Sequence, residues 1–315
     1  MLPAIDTDAL LTFLTGLLNT ASPTGYAEPA IAFTEAALQP FPGLTFHRTR
    51  KGALVVRWQG ESDDAPRALT AHADTLGAMV KEIKPGGRLK LTMIGGYAWN
   101  AVEGEGCHVI TASGRRVRGS ILHVNASTHV HGKAMTDAPR SEDTMEVRLD
   151  ERTTSAEETR ALGIEIGDFV ALDPRVEITN GFIRSRHLDD KACVACIVAA
   201  VKALADAGLR PHQTTWLHIS NYEEVGHGAA AGIPAEVTEL VAVDMAAVGT
   251  GQTSDEFHAS ICVKDSGGPY HHGLSSRLRQ LAAQYEIPFV VDIYPFYGSD
   301  GEAFWRAGGD VAVAL

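Results

Sequence analysis

The 315-residue sequence predicts an α/β protein: a mixed sheet flanked by helices on both faces, with a small all-β domain inserted into it. Three observations lead there. Apolar strand-like runs alternate with helical stretches in the outer parts of the chain, which argues for a sheet covered on both sides. The central stretch holds only short β-like runs. Several of the outer strand-like runs close on polar residues, at the edge where open α/β sheets carry ligand sites.

In chain order, "MLPAIDTDALLTFLTGLLNTA" lacks a basic leader and has acids breaking its apolar run. It reads as an amphipathic helix rather than a signal peptide or anchor, and the protein as cytoplasmic. "ALVVRW" and "RALTAHAD" read as neighbouring strands, "TTWLHISNYEEVG" as a strand running into two acids, and "ELVAVDMA" as a buried strand ending in an acid. "DDKACVACIVAAVKALADAG" and "SSRLRQLAAQYEI" are the helical stretches. Between them "RLKLTMIGG", "CHVITA", "RRVRGSILHV", "MEVRLD" and "DFVAL" make up the inserted unit, with "STHVHGKAMTDAPRSED" as a mobile loop. The expected division is an outer domain over 1–77 and 180–315 and an insert over 78–179.

Composition narrows the partners. With 45% hydrophobic and 21% charged residues the chain is an ordinary globular one, and 27 basic against 39 acidic residues give a net charge of −12. That charge repels phosphate backbones and anionic lipid, so neither nucleic acid nor a membrane is an expected partner. Cys107, Cys193, Cys196 and Cys262 form no regular framework and read as reduced. Cys193 and Cys196 have the spacing of a redox or zinc motif but no second pair to complete it. Val194, Ile197, Val198 and Val201 recur around them at helical spacing, which makes them small buried helix residues.

The polar strand ends supply the candidate site: His72 and Asp74, Asp189 and Asp190, Glu223 and Glu224, and Asp244. Each has an ordinary explanation alone. His72 could be a core histidine, the aspartate pair a helix start, the glutamate pair a solvated edge. Together they set one imidazole among a surplus of carboxylates, which is untenable without added positive charge. Two divalent metal ions would supply it, and a nitrogen and oxygen donor set suits zinc, cobalt or manganese. Two adjacent glutamates on an extended strand face opposite sides, so an irregular strand end must re-aim one of them.

"AHADTLGAMV", "RHLDDKA", "NYEEVG" and "VAVDM" occur in an order that, with "ALGIEIGDFV" and "YGSDGEAF", resembles a known family over nearly the whole chain. It is the tetrahedral and glutamyl aminopeptidase family of dinuclear metallopeptidases, metallopeptidase family 42, and within it a subgroup associated with a blocked-dipeptide osmoprotectant. The resemblance implies a zinc-aminopeptidase-like fold and a metal-dependent hydrolase that removes N-terminal residues from short peptides. It implies that His72 and Asp244 bind one metal and Glu224 the other, that Asp189 bridges both, and that Asp190 is not a ligand. Asp74 would orient His72, and Glu223 would be the general base and acid. The inserted domain would join subunits into a dimer-based homo-oligomer, up to a dodecamer.

Two other functions compete with this one: an amidohydrolase acting on a blocked dipeptide, and a catalytically silent scaffold of the same fold. Retention of Glu223 argues against silence, because a binding module has no need of an uncoordinated acid there. The chain departs from the family pattern twice. "EEVGHGAA" puts His227 and Gly228 directly after the Glu-Glu-Val-Gly run, and "GGDVAVAL" stops before the stretch where the family supplies its last metal-binding histidine. The natural protein is therefore expected to continue for some tens of residues, with His227 as a substitute ligand if it does not. His123, His129, His131, His258, His271 and His272 are expected in surface or supporting roles.

Overall fold

The computed structural model describes residues 2–315. They form two compact units, one of residues 2–20, 27–74 and 187–315, the other of residues 21–26 and 75–186. The insert thus takes in a short N-terminal segment that no strand pattern marks, and its long stretch extends a few residues beyond 78 and 179.

The first unit opens with α1 (Thr7–Leu18), where the Asp6 carboxylate accepts the Ala9 N–H at 3.0 Å and caps the helix. Helix α2 (Glu28–Leu38) has Pro29 in its first turn, where the missing N–H costs nothing. Three strands follow: β1 (Leu44–Arg48), β2 (Leu54–Trp58) and β3 (Ser62–His72).

The second unit is a closed barrel. Its strands are β4 (Gly77–Ile83), β5 (Leu89–Ile94), β6 (Gly106–Ile110), β7 (Arg116–His123), β8 (Met145–Leu149) and β9 (Phe169–Leu172). They close in the order β4-β5-β8-β7-β6-β9. Strand β7 alternates buried and outward residues, and Val117, Ile121, Val147, Leu91 and Val109 fill the interior, as the pleat requires. The stretch expected as a loop contains two single turns, α3 (Thr128–His131) and α4 (Lys133–Thr136), and Arg140 fastens it to Glu103 and to the Ala138 carbonyl. Helix α5 (Ala156–Ala161) and a hairpin of β10 (Glu177–Thr179) and β11 (Phe182–Arg184) complete the unit. Residues 21–26 join it through Thr24 N–H to Thr75 O and Thr75 N–H to Ser22 O, and Tyr26 packs on Phe169.

The chain re-enters the first unit through α6 (Leu188–Asp206), β12 (Gln213–Ser220), β13 (Glu239–Ala242), β14 (Ala259–Lys264), α7 (His272–Gln284), β15 (Phe289–Ile293), α8 (Asp300–Arg306) and β16 (Ala312–Ala314). The sheet order is β1-β2-β12-β3-β13-β16. Strand β12 separates β2 from β3, antiparallel to the first and parallel to the second, so these two are not neighbours as expected. Hydrophobic pattern reports that a strand is buried, not which strand it pairs with. Helices α1, α2 and α6 pack one face through Leu17, Ile31, Val194 and Val201, while Trp305 and Phe304 of α8 lie in the cluster built on Leu240 and Val313. Strands β14 and β15 form a separate parallel pair. Among the described residues no helix is long and apolar enough to cross a membrane.

The four cysteines are free. Cys196 is exposed rather than buried, because it and Cys193 line a cavity of about 570 Å³ between α6 and the Leu278 and Phe289 side chains.

Candidate metal centre

Register brings the site together. Strands β3 and β12 run parallel with Ser220 opposite His72, so the glutamates that follow Ser220 emerge beside the histidine. Strand β13 pairs Ala242 with Thr70, which carries Asp244 to the same level from the other side. The aspartate pair arrives at the start of α6, where Asp189 (φ −74°, ψ 110°) and Asp190 (φ −117°, ψ 22°) are not helical and the peptide between them is cis. All seven candidate residues lie in the first unit.

His72 is at the centre. Its Nε2 lies 3.1 Å from Asp189 Oδ1, 3.6 Å from Glu223 Oε2 and 4.0 Å from Asp244 Oδ1. Its Nδ1 lies 2.9 Å from the Asp74 carbonyl oxygen and 3.6 Å from the Asp74 carboxylate. Two groups offer donor atoms close enough to share an ion: His72 with Asp190 and Asp244, and His72 with Asp189 and Glu224. Asp190 turns Oδ2 to the His72 backbone N–H at 2.9 Å, while its Oδ1 is buried without a hydrogen-bond partner.

The glutamates lie past the end of β12. Tyr222, at φ +76°, turns the chain there, and the Glu223 and Glu224 N–H groups donate to the two Asp74 oxygens at 3.3 and 3.4 Å. Asp74 therefore anchors both neighbours, His72 through its carbonyl and the glutamate turn through its carboxylate. Beyond the turn, Lys51 Nζ donates to the carbonyls of His227 and Gly228, and its ammonium sits 5.7 Å from the Tyr222 ring centre. His227 stacks on Tyr222 and belongs to neither ligand group.

Burial controls the electrostatics. It raises the Glu223 carboxyl far above the usual carboxylate range, opposed by His72 and reinforced by Asp244, Asp300 and Glu224. It raises Asp244 to about 6, again against His72. It also lifts Asp190, with the Asp244 charge adding to it. For His72 burial acts downward, but Asp189, Asp190, Glu223 and Asp244 outweigh it and hold the imidazole well above its ordinary value. The two nearby lysines feel Asp74 but spend their hydrogen bonds elsewhere. Lys51 is spent on backbone carbonyls, and Lys191, whose pKa burial pushes down to about 7, donates to the Leu17 and Thr20 carbonyls. An imidazole and several carboxylates with donor atoms close enough to share an ion form a set that fits divalent cations.

Pattern reading missed Asp300, Ser220, Lys51 and Tyr297. Asp300 is fully buried, takes the Ser220 hydroxyl and the Ala229 N–H (2.7 Å), and lies so close to Gly228 that a Cβ there would sit 2.3 Å from Oδ1. Glycine is required at that position by contact, not by φ. The buried Tyr297 hydroxyl lies beside Asp244 and lowers its pKa without meeting hydrogen-bond geometry. "SDG" before α8 reads as a helix start, and nothing local marks the lysine or the tyrosine.

The fold and the donor set are those of an α/β protein with a candidate metal centre at the strand ends. Comparison with known proteins is more specific. A family model described as M42 glutamyl aminopeptidase matches residues 52–315. The putative aminopeptidase YhfE of Bacillus subtilis (strain 168) is 47% identical over 300 residues, covering 95% of this chain and 86% of its own. Among solved structures, the TET aminopeptidase of a marine-sediment Thaumarchaeota archaeon superposes with a TM-score of 0.87 at 18% identity over 97% of this chain and 87% of its own. The TET1 peptidase of Pyrococcus horikoshii gives 0.82 at 21% identity, over 97% and 89%. The chain belongs to the M42 glutamyl aminopeptidase family and is a peptidase.

Proposed function

We propose that this protein is a dinuclear metallo-aminopeptidase that releases N-terminal residues from short peptides, with Glu223 as general base and acid. The observation that carries the reading is the position of Glu223. Its carboxylate is 3.6 Å from His72 Nε2, yet it belongs to neither of the two ligand groups. An acid beside a metal site but not needed to build it is free to move a proton.

In this reading His72, Asp189 and Asp244 would hold one divalent ion, and Glu224 with Asp189 the other. Zinc, cobalt and manganese all suit the set. When bound, the ions polarise the scissile carbonyl and lower the pKa of a water. The residues do the rest. The Glu223 carboxylate accepts a proton from the attacking water and returns it to the leaving amine. Its burial favours the protonated form between those two events. Asp74 fixes His72 through Nδ1, leaving Nε2 for ligation, and its carboxylate holds the turn carrying Glu223 and Glu224 at a set distance. Asp190 stays on the His72 N–H and sets the strand end rather than ligating.

The test is a panel of aminoacyl chromogenic substrates and one N-acetylated dipeptide, each assayed with zinc, cobalt and manganese after chelation. Hydrolysis of free-amine substrates that depends on added metal supports the reading, and turnover of the blocked dipeptide alone overturns it. We assign the barrel unit to subunit contacts in a homo-oligomer; the P. horikoshii protein of the same fold can assemble into a tetrahedron or a large octahedral shell. A cytoplasmic location goes with this assignment. A monomer by light scattering at micromolar concentration would refute the assembly.

A further inference from the structure

The segment that carries Glu223 and Glu224 is a closed turn. His227 N–H donates to Tyr222 O at 3.1 Å and Gly226 N–H to Glu223 O at 2.6 Å, so the chain from Tyr222 to His227 folds back on itself. Asp74 holds its near side through the Glu223 and Glu224 N–H groups. Its far side is held by two opposite charges.

The peptide unit joining Gly228 to Ala229 is gripped at both ends. Its carbonyl accepts from Lys51 Nζ at 3.0 Å, and its N–H donates to Asp300 Oδ1 at 2.7 Å. An ammonium on the carbonyl and a carboxylate on the N–H match the two poles of the peptide, and such charge-assisted bonds are stronger than neutral ones. Lys51 also donates to the His227 carbonyl, and its ammonium lies over the Tyr222 ring on which His227 stacks. Asp300 is buried, accepts the Ser220 hydroxyl, and fills the space that a side chain at Gly228 would need. Lys51 is firmly mounted in turn. It stands on the hairpin between β1 and β2, closed by Gly52 N–H to Thr49 O at 3.0 Å and Thr49 N–H to Ala53 O at 2.9 Å.

We propose that Lys51 is a positioning residue for the proton carrier: with Asp300 it clips the 228–229 peptide, fixes the exit of the turn, and so keeps Glu223 at its place beside the metal centre. This rests on the assignment of Glu223 as general base. Glu224 is held by the ion it ligates as well as by the turn, whereas Glu223 has the turn alone. A reacting group displaced by about 1 Å can lose on the order of a hundredfold in rate, so a loosened exit shows in turnover. The clip is made to backbone and not to substrate, so its loss acts on kcat rather than on KM.

Lys51→Met keeps the stem and removes the charge, while Lys51→Arg keeps both charge and donors. In the metal-free protein, hydrogen exchange read by mass spectrometry should speed up over residues 222–231 in Lys51→Met, with the rest of the chain as in the parent, and return toward the parent in Lys51→Arg. In the zinc-loaded protein, Lys51→Met should lower kcat about tenfold with KM and metal content unchanged, and Lys51→Arg should recover most of it. In a Glu223→Gln background Lys51→Met should cost little more, because both changes act through one group. Unchanged exchange over 222–231 overturns the clip whatever Glu223 does. An equal cost of Lys51→Met in both backgrounds overturns action through Glu223, and a loss in Lys51→Arg as large as in Lys51→Met overturns the role of the charge. Should Lys51→Met fail to fold, Lys51→Gln removes the same charge and is judged by the same outcomes. The base assignment is tested on Glu223→Gln alone and the clip on exchange in Lys51→Met, so the failure of one is told apart from the failure of the other.

Discussion

The barrel unit and the strand-end site of the α/β unit treat carboxylates in opposite ways. In the barrel, Glu146 is 6% exposed and meets two cations, Lys84 Nζ at 2.8 Å and Arg88 Nη1 at 3.0 Å. Asp173 is held by both terminal nitrogens of Arg118, which keep its carboxyl below the usual range, and Glu103 by Arg140. In the α/β unit, Asp190, Asp244, Glu223 and Asp300 are buried with raised pKa values around one imidazole, and the nearby lysines are turned to backbone carbonyls. These barrel acids are balanced by neighbouring cations. The strand ends leave theirs unbalanced, which weakens the metal-free fold and creates affinity for a cation.

The largest effect expected from breaking this contrast is on turnover. Glu223→Gln removes the proton carrier but no ligand, so turnover should fall by roughly a hundredfold or more while metal content stays that of the parent. Glu224→Gln should instead lose metal. Near-normal turnover for the first variant, measured with metal analysis on the same sample, would sink the assignment.

The next effect is on stability, and its sign should differ between the units. Glu146→Gln leaves two cations without their acid and should cost about 1–2 kcal/mol, less than a fully buried pair because Lys84 and Arg88 keep part of their head groups in water. Asp244→Asn removes one of the unbalanced acids and should stabilise the metal-free protein by on the order of 1 kcal/mol at pH 8, while weakening metal binding. Thermal melts of both variants after chelation check this. Equal destabilisation by the two would show that the α/β acids are balanced after all.

The smallest effect sharpens the comparison through pH. In the metal-free protein Asp244, Asp190, Glu223 and His72 have folded-state values above their unfolded ones, so the folded state binds the extra protons. The stability tied to them is greatest at low pH. It is lost as pH climbs from the unfolded carboxylate values near 4, or near 6.5 for His72, through the folded values, which begin at about 6 for Asp244. A cation competes with those protons. The rise in Tm on adding metal should therefore be small at about pH 5.5 and grow toward pH 8. Subtracting the metal-free curve at each pH cancels His218, pushed down to about 4, and Lys191, pushed down to about 7, which titrate in the opposite sense. A metal-induced shift that is flat across the range would contradict ligation by these groups.

What the sequence by itself determined was periodic or local in character. The β-like run "RRVRGSILHV" predicts a strand of the inserted all-β unit, helical spacing in "KACVACIVAAVKALADAG" predicts α6, and acids closing the apolar runs "TTWLHIS" and "LVAV" point to one edge of the sheet, because side-chain direction repeats with backbone geometry. The tertiary structure alone decided what depends on partners far apart in the chain. It placed β12 between β2 and β3, and it set the Asp74 carboxylate on the N–H groups of Glu223 and Glu224, about 150 residues later. It brought Asp300 against Ser220 and Gly228, and committed Lys51 and Lys191 to carbonyls instead of to the acids. No local pattern encodes those pairings, since a hydrogen bond or an excluded Cβ depends on distance in space and carries no period along the chain.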